Sequence, residues 1–207
     1  MFRQPFVALT AVAVMLGPRV PRVNAPEPIE QLALQRTDMP ATIKKGMWRY
    51  PEVVDPSHLS AFGIPGLQAA LYTYIWPAGG TLTTPIGIID KEWLVAGEVF
   101  RSPDEASAKR LYALGVAAQI GHFSYDDFPG EPKSLNLPSY GDEQIGRVTS
   151  HEAIGLTVMV FVRQGKIVWQ LRVATIPLQF QATQEQLVAV LNTYALKQKS
   201  RLGAAGK

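Results

Sequence analysis

The sequence contains no cysteine among its 207 residues and only three histidines. Without a thiol, the chain cannot form a disulfide, use a thiolate nucleophile, build a cysteine-ligated zinc or iron–sulfur site, or carry a lipid on a cleavage-site cysteine. The histidines, His58, His122 and His151, are not spaced as metal ligands, and we expect them on the surface or in loops. The sequence therefore predicts no metal site and no cofactor.

The motifs of the common catalytic chemistries are also missing. The sequence has no G-x-S-x-G nucleophile elbow, no G-x-x-x-x-G-K-[ST] phosphate loop and no G-x-G-x-x-G dinucleotide fingerprint. Carboxylates that lie close in sequence are the remaining candidates for chemistry: Asp126, Asp127, Asp142 and Glu143. Solvated turns and strand edges explain them better, so a non-catalytic protein is favoured and an exported hydrolase remains the alternative.

Positive charge is scarce in the body of the chain, although the whole sequence has a net charge of +3. Residues 26–196 hold 13 basic and 17 acidic side chains, because the other seven basic residues lie in the first 25 or the last 11 positions. A body of net charge −4 repels a phosphate backbone, which excludes nucleic acid as the expected partner. The basic C-terminal tail could touch an anionic membrane surface, but a disordered end over residues 201–207 is the simpler interpretation.

An apolar run of eleven residues, 6–16, follows Arg3 near the N terminus. As a helix it is too short to cross a bilayer, and the small residues that lead to Ala25 are typical of a cleavable signal peptide over residues 1–25. Arg19 and Arg22, just after the apolar run, favour the alternative of an uncleaved leader at the membrane. We expect a secreted or periplasmic protein of a bacterial envelope.

The first half of the chain predicts strands after an irregular, proline-rich segment over residues 26–65. Aromatic and aliphatic residues favour a strand over residues 67–76, which Pro77 to Gly80 should end. Two more strands are expected over residues 86–89 and 93–100, with a turn between them at residues 90–92.

A helix is expected to begin at Ser102, because the serine, Pro103 and Glu105 have the spacing of an N-cap followed by a capping box. Its apolar stripe should face a sheet and consists of Ala108, Leu111, Leu114, Gly115 and Ala118. Residues 122–141 then contain three prolines and two glycines without periodicity, which predicts a long loop and the best place to look for a site.

The second half predicts a β-meander over residues 142–150, 153–162 and 166–176, followed by a helix capped by Thr183 and Gln186. The middle strand is apolar on both faces and should lie inside the sheet. We therefore expect a two-layer α+β fold, in which an antiparallel sheet carries its helices on one face. Residues 66–200 should form this single domain.

Aromatic residues are the candidates for ligand binding. Strand aromatics would form the floor of an apolar pocket and loop aromatics its mouth, although aromatic side chains in strands also commonly form the core. The predicted ligand-binding residues are Tyr74, Trp76, Trp93, Phe123, Tyr125 and Phe128.

Three short motifs resemble a pattern of bacterial envelope domains. They are the stretch LALQRTDMP over residues 32–40, Gly141-Asp142-Glu143, and VRQGKIV over residues 162–168. In this pattern the chain is similar to the extracellular sensor domains of mycobacterial Ser/Thr kinases and related lipoproteins. The resemblance implies a non-catalytic domain that senses a ligand or a partner, and it implies no particular site residue.

Taken with the leader, these features predict an exported envelope protein that binds a small apolar or amphiphilic ligand, or a protein partner, without chemistry. A purely structural envelope factor is a third interpretation.

Overall fold

The computed structural model describes residues 27–42, 51–84, 87–123, 133–151, 155–176 and 182–205. The predicted signal peptide and residues 124–132 of the loop expected at 122–141 lie outside these ranges. Asp126, Asp127, Tyr125 and Phe128 lie outside them as well.

Seven antiparallel strands form one sheet in the order β1-β2-β3-β7-β6-β5-β4. The chain therefore builds one half of the sheet before α3 and the other half after it, and the two halves meet where β3 pairs with β7. The strands are β1 (Glu52–Val53), β2 (Gln68–Thr84), β3 (Gly87–Arg101), β4 (Lys133–Ser134), β5 (Glu143–His151), β6 (Gly155–Gln164) and β7 (Ile167–Ile176).

The hairpin of β2 and β3 is longer than expected, and the predicted breaks at residues 77–80 and 90–92 are wrong. Gly79 and Gly80 have φ angles of 85° and 78° and form a bulge, so that the ladder resumes beyond it. Pro77 still lies opposite Glu92, and pairing continues to the far end of the hairpin. The two glycines predicted the end of a strand. In the structure they instead form a bulge, which accommodates extra residues in β2 without ending it.

The predicted meander is confirmed, and β6 lies inside the sheet between β5 and β7. Along β6, Val158, Val160 and Val162 lie in one apolar cluster, whereas Phe161 lies in another. Because neighbouring residues of a strand point to opposite faces, both faces of this strand are buried.

Among the described residues, four α-helices accompany the sheet: α1 (Ile29–Leu32), α2 (Pro56–Leu59), α3 (Glu105–Phe123) and α4 (Gln184–Ala205). The antiparallel α+β class is confirmed, but the expected placement of the helices on one face is wrong. Leu187 and Leu191 of α4 pack with Trp169, whereas Leu111 of α3 packs with Val168, its neighbour in β7. The long helices therefore cover opposite faces, which gives three layers instead of two.

The start of α3 also differs from the expectation. Asp104 caps the helix by accepting a hydrogen bond from the backbone N–H of Ser107 at 2.7 Å, and Ser102 does not cap it. The N–H of Ser102 donates to the carbonyl of Lys166 at 2.9 Å, which fixes this serine at the end of the sheet. Within the stripe, Ala108 and Leu111 are buried, but Leu114 is 43% exposed.

The ordered domain extends beyond both of its predicted boundaries. At the N-terminal side, Ile29, Leu32 and Leu34 are buried in the same cluster as α4, so this segment belongs to the core. At the C-terminal side, α4 continues to Ala205 and Leu202 is buried, so residues 201–205 are helical instead of disordered. In the described parts of the chain, no helix combines the length and the apolar character needed to cross a membrane.

Candidate functional site

The strand aromatics predicted as ligand-binding residues lie beneath α4. Tyr74 is buried and donates its hydroxyl to the carbonyl of Leu34 at 2.9 Å. Trp76 packs on the ring of Tyr194 with their centroids 5.3 Å apart, and Trp93 lies directly opposite Trp76 and packs against the same cluster. Tyr74, Trp76 and Trp93 are thus brought together as part of the core, and their role in binding stays a prediction.

The loop aromatics are placed differently. Phe123 is the last residue of α3, while Tyr125 and Phe128 lie outside the described residues. The pocket mouth predicted from residues 122–141 therefore stays a prediction.

Two of the carboxylates considered for catalysis form a buried arginine clamp. Arg163 donates to Oε1 of Glu143 at 2.8 Å and to Oδ2 of Asp142 at 3.2 Å. The same Asp142 oxygen accepts the backbone N–H of Gly165 at 2.8 Å. Because the arginine side chain is only 7% exposed, these carboxylates hold the β6–β7 turn to the start of β5.

The two faces of the sheet are covered unequally across β2, β3 and β7. On the α4 face, side chains such as Tyr72, Val95 and Leu171 are buried. On the α3 face, eight neighbouring residues of these strands are partly exposed, and they cover an area of about 10 by 14 Å at ordinary strand spacings. We call them the open patch: Leu71, Thr73, Leu94, Ala96, Glu98, Gln170, Arg172 and Ala174.

The open patch lies beside α3 instead of beneath it. That helix packs on β6 and β7, where Gly115 meets the ring of Phe161 so closely that an added Cβ would lie 2.3 Å from it. At the borders of the patch, Ile75 and Met159 are buried. The patch therefore combines four apolar with four polar residues and has buried side chains at its borders. A few polar groups placed among apolar ones are typical of the lining of small-molecule sites.

A pair of opposite charges lies in the middle of the open patch. Glu98 is opposite Gln170, and Arg172 is opposite Ala96, so the two charged residues are diagonal neighbours on adjacent strands. At this separation long side chains interact. The Nε atom of Arg172 is fully buried and has no hydrogen-bond partner among the described residues.

Burial changes the proton affinity of both groups. It raises the pKa of the Glu98 carboxyl, and the positive charge of Arg172 partly opposes this. It lowers the pKa of the Arg172 guanidinium, and the negative charge of Glu98 partly opposes that. Charged groups that are desolvated beside a specific partner are characteristic of binding and catalytic sites.

The sequence did not identify this pair, although it contained a signal. Glu98 interrupts the apolar run WLVAGEVF over residues 93–100, and Arg172 interrupts an apolar stretch of β7. A charge within such a run is costly unless it is paired or functional. Only the pairing of β3 with β7 brings the two residues together, and that pairing is not visible in the sequence.

The described residues contain no group of three or more histidine, aspartate or glutamate side chains that could hold a metal ion. No family model, no curated protein and no solved structure matches the chain.

Proposed function

We propose that the protein is a non-catalytic binding module of the bacterial envelope, and that a small amphiphilic ligand occupies its open patch. The observation that carries this proposal is the unequal cover of the sheet. One face is closed by α4, while the other presents an apolar area with a charged pair at its centre. The apolar neighbours suit a hydrocarbon part of the ligand, and the charges suit a polar head.

The arginine clamp supports a role without catalysis. Asp142 and Glu143 both interact with Arg163, so using either carboxylate as a general acid or base would first require breaking an ion pair. Export is supported by the leader pattern over residues 1–25, in which an apolar run follows Arg3 and small residues lead to Ala25.

Native mass spectrometry of the full-length protein, purified from its own envelope fraction, tests this function. We expect a native mass larger than the denatured mass by that of one bound amphiphile, and a denatured mass that lacks residues 1–25. The adduct should be lost in Arg172→Gln. It should be retained in the matched control Arg110→Gln, because Arg110 is exposed on α3.

Absence of any small-molecule adduct from the folded protein would contradict binding, and retention of the adduct in Arg172→Gln would contradict the location. A panel of hydrolase substrates tests the alternative. An activity that disappears in Asp142→Asn or Glu143→Gln while the fold persists would contradict the non-catalytic role.

A further inference from the structure

The two charges of the open patch do not satisfy each other directly. Among the described residues, the ion pairs within 4.0 Å do not include Glu98 with Arg172. The strand register explains why they form no ion pair. The two residues are diagonal neighbours, so they are separated along the strands as well as across them. The carboxylate and the guanidinium therefore lie on the same face without a direct ion pair between them.

The pair has a defined hydrogen-bonding requirement. The buried Nε–H of Arg172 needs an acceptor. The carboxylate of Glu98 is desolvated by burial, and a hydrogen-bond donor would stabilise its charged form. Leaving such groups unpaired away from water is costly, and the cost is largest when the group is charged. A ligand that satisfies both groups must present one acceptor beside one donor.

The charge of the ligand follows from the charges of the pair. A carboxylate would pair with Arg172 but be repelled by Glu98, and an ammonium group would pair with Glu98 but be repelled by Arg172. A neutral amide avoids both repulsions, since its carbonyl oxygen accepts and its N–H group donates.

We infer that the open patch recognises the neutral amide head of a small amphiphile. The amide carbonyl accepts from the Arg172 guanidinium, and the amide N–H donates to the Glu98 carboxylate. The hydrocarbon chain lies against the apolar members of the patch, Leu71, Leu94, Ala96 and Ala174. This inference rests on the proposed function and adds the chemical class of the ligand.

Three probes with the same chain length test the inference: octanamide, octanoate and octylammonium. Each is titrated into the full-length protein below its micelle concentration, and the dissociation constant is measured by calorimetry. We expect octanamide to bind at least about tenfold more tightly than either charged probe, which is the effect of one charge-assisted hydrogen bond of about 1.4 kcal/mol or more.

Single substitutions should change the order of preference. Glu98→Gln leaves the positive charge of Arg172 alone, so octanoate should become the preferred probe. Arg172→Gln leaves the negative charge of Glu98 alone, so octylammonium should become preferred. The double variant lacks both charges and should bind octanamide more weakly than the wild-type protein, because the charge-assisted hydrogen bonds are gone. Arg110→Gln, at an exposed residue of α3 outside the patch, should retain the wild-type order. Circular dichroism checks that each variant is folded.

The outcomes separate this inference from the proposed function. If none of the three probes binds the wild-type protein, both are contradicted. If all three bind with similar affinity, or if the order is the same in every folded variant, the amide inference alone is overturned. If the single variants do not fold, the double variant keeps the test decisive, because octanamide binding as tight there as in the wild-type protein would also overturn the inference.

Discussion

At the scale of single residues, Gly97 is a position where the fold depends on the absence of a side chain. A Cβ added here would lie 2.3 Å from the hydroxyl of Tyr72 and 2.5 Å from the carbonyl of Gln170. Because the second contact is backbone of the neighbouring strand, the sheet itself would have to move. Gly97→Ala should therefore lower the free energy of unfolding by roughly 1–3 kcal/mol, measured by urea denaturation.

The matched control is Gly203→Ala near the end of α4, where an added Cβ would meet nothing within 4 Å. There the same substitution should be neutral or should stabilise the helix by up to about 1 kcal/mol. Equal stability of Gly97→Ala and wild type would show that the close approach of Tyr72 is not required by the fold.

Gln198 connects the two ends of the described chain. It is fully buried, donates to the carbonyl of Leu32 at 2.6 Å and accepts from the N–H of Leu34 at 3.1 Å. Gln198→Leu would leave two buried backbone groups without partners, and each should cost about 1–3 kcal/mol. Urea denaturation should show this loss, whereas Gln31→Leu, at an exposed side chain, should change stability little.

Hydrogen exchange provides a second measure of this connection. In Gln198→Leu the amide of Leu34 should exchange much faster than in the wild-type protein, because its acceptor is gone. Unchanged protection of that amide would contradict the role assigned to Gln198.

At the scale of elements, the start of α3 gives a test of capping that depends on pH. The backbone N–H of Ser107 and the side chain of Ser107 lower the pKa of the exposed Asp104 carboxyl from its usual 3.8. A depressed carboxyl pKa adds stability above the pKa of the unfolded state, and this stability is lost as the pH falls through the folded pKa. Asp104→Ala should therefore lower the urea midpoint at pH 7.

The urea midpoints of Asp104→Ala and wild type should converge as the pH falls below 3.8. Ser102→Ala is the contrasting variant, since the Ser102 hydroxyl is buried without a partner among the described residues and its removal should be neutral or stabilising. A larger loss of stability in Ser102→Ala than in Asp104→Ala would restore the serine as the cap.

The capping of the last helix was predictable because its signals are local. Thr183 and Gln186 exchange the two hydrogen bonds of a capping box, at 2.9 and 3.3 Å, as their spacing indicates. The meander could also be predicted from the sequence, since the alternation of its strands and the turn at Gly165 lie within one continuous stretch. Local rules therefore identified the elements of the second half.

Features that depend on the pairing of strands far apart in the chain could not be predicted from local sequence patterns. An apolar stripe on a helix predicts that it packs but not on which face of a sheet, so α3 and α4 were placed together. The clue was β6, whose apolar residues on both faces require a cover on each side. The charged pair was missed for a related reason, because Glu98 and Arg172 belong to different halves of the chain and meet only through strand register.

At the scale of the whole molecule, the two faces share the same strands and should unfold together. Phe161 lies on the α3 face, whereas the tryptophans at positions 76, 93 and 169 lie on the α4 face. Phe161→Ala should remove about 3–5 kcal/mol of stability. Tryptophan fluorescence should report that loss in full, although none of the tryptophans among the described residues lies on the altered face.

The check is to follow urea unfolding of Phe161→Ala by fluorescence and by far-ultraviolet circular dichroism. The two transitions should coincide, as they do in a two-state system. If the fluorescence transition stays at the wild-type midpoint while the dichroism transition shifts, the two faces unfold as separate units.

The pairing of β3 with β7 has a consequence for how the chain folds as it is synthesised. These strands are separated by α3, β4, β5 and β6 along the chain, yet they are neighbours in the middle of the sheet. Such distant contacts give a high contact order, which slows folding because a long loop must close first. Until β7 and α4 leave the ribosome, the hairpin of β2 and β3 has neither its neighbour nor its cover. The nascent chain would thus present an unpaired β3 edge while residues 102–176 are synthesised, and chaperone binding to that edge should cease once residues 167–205 have emerged.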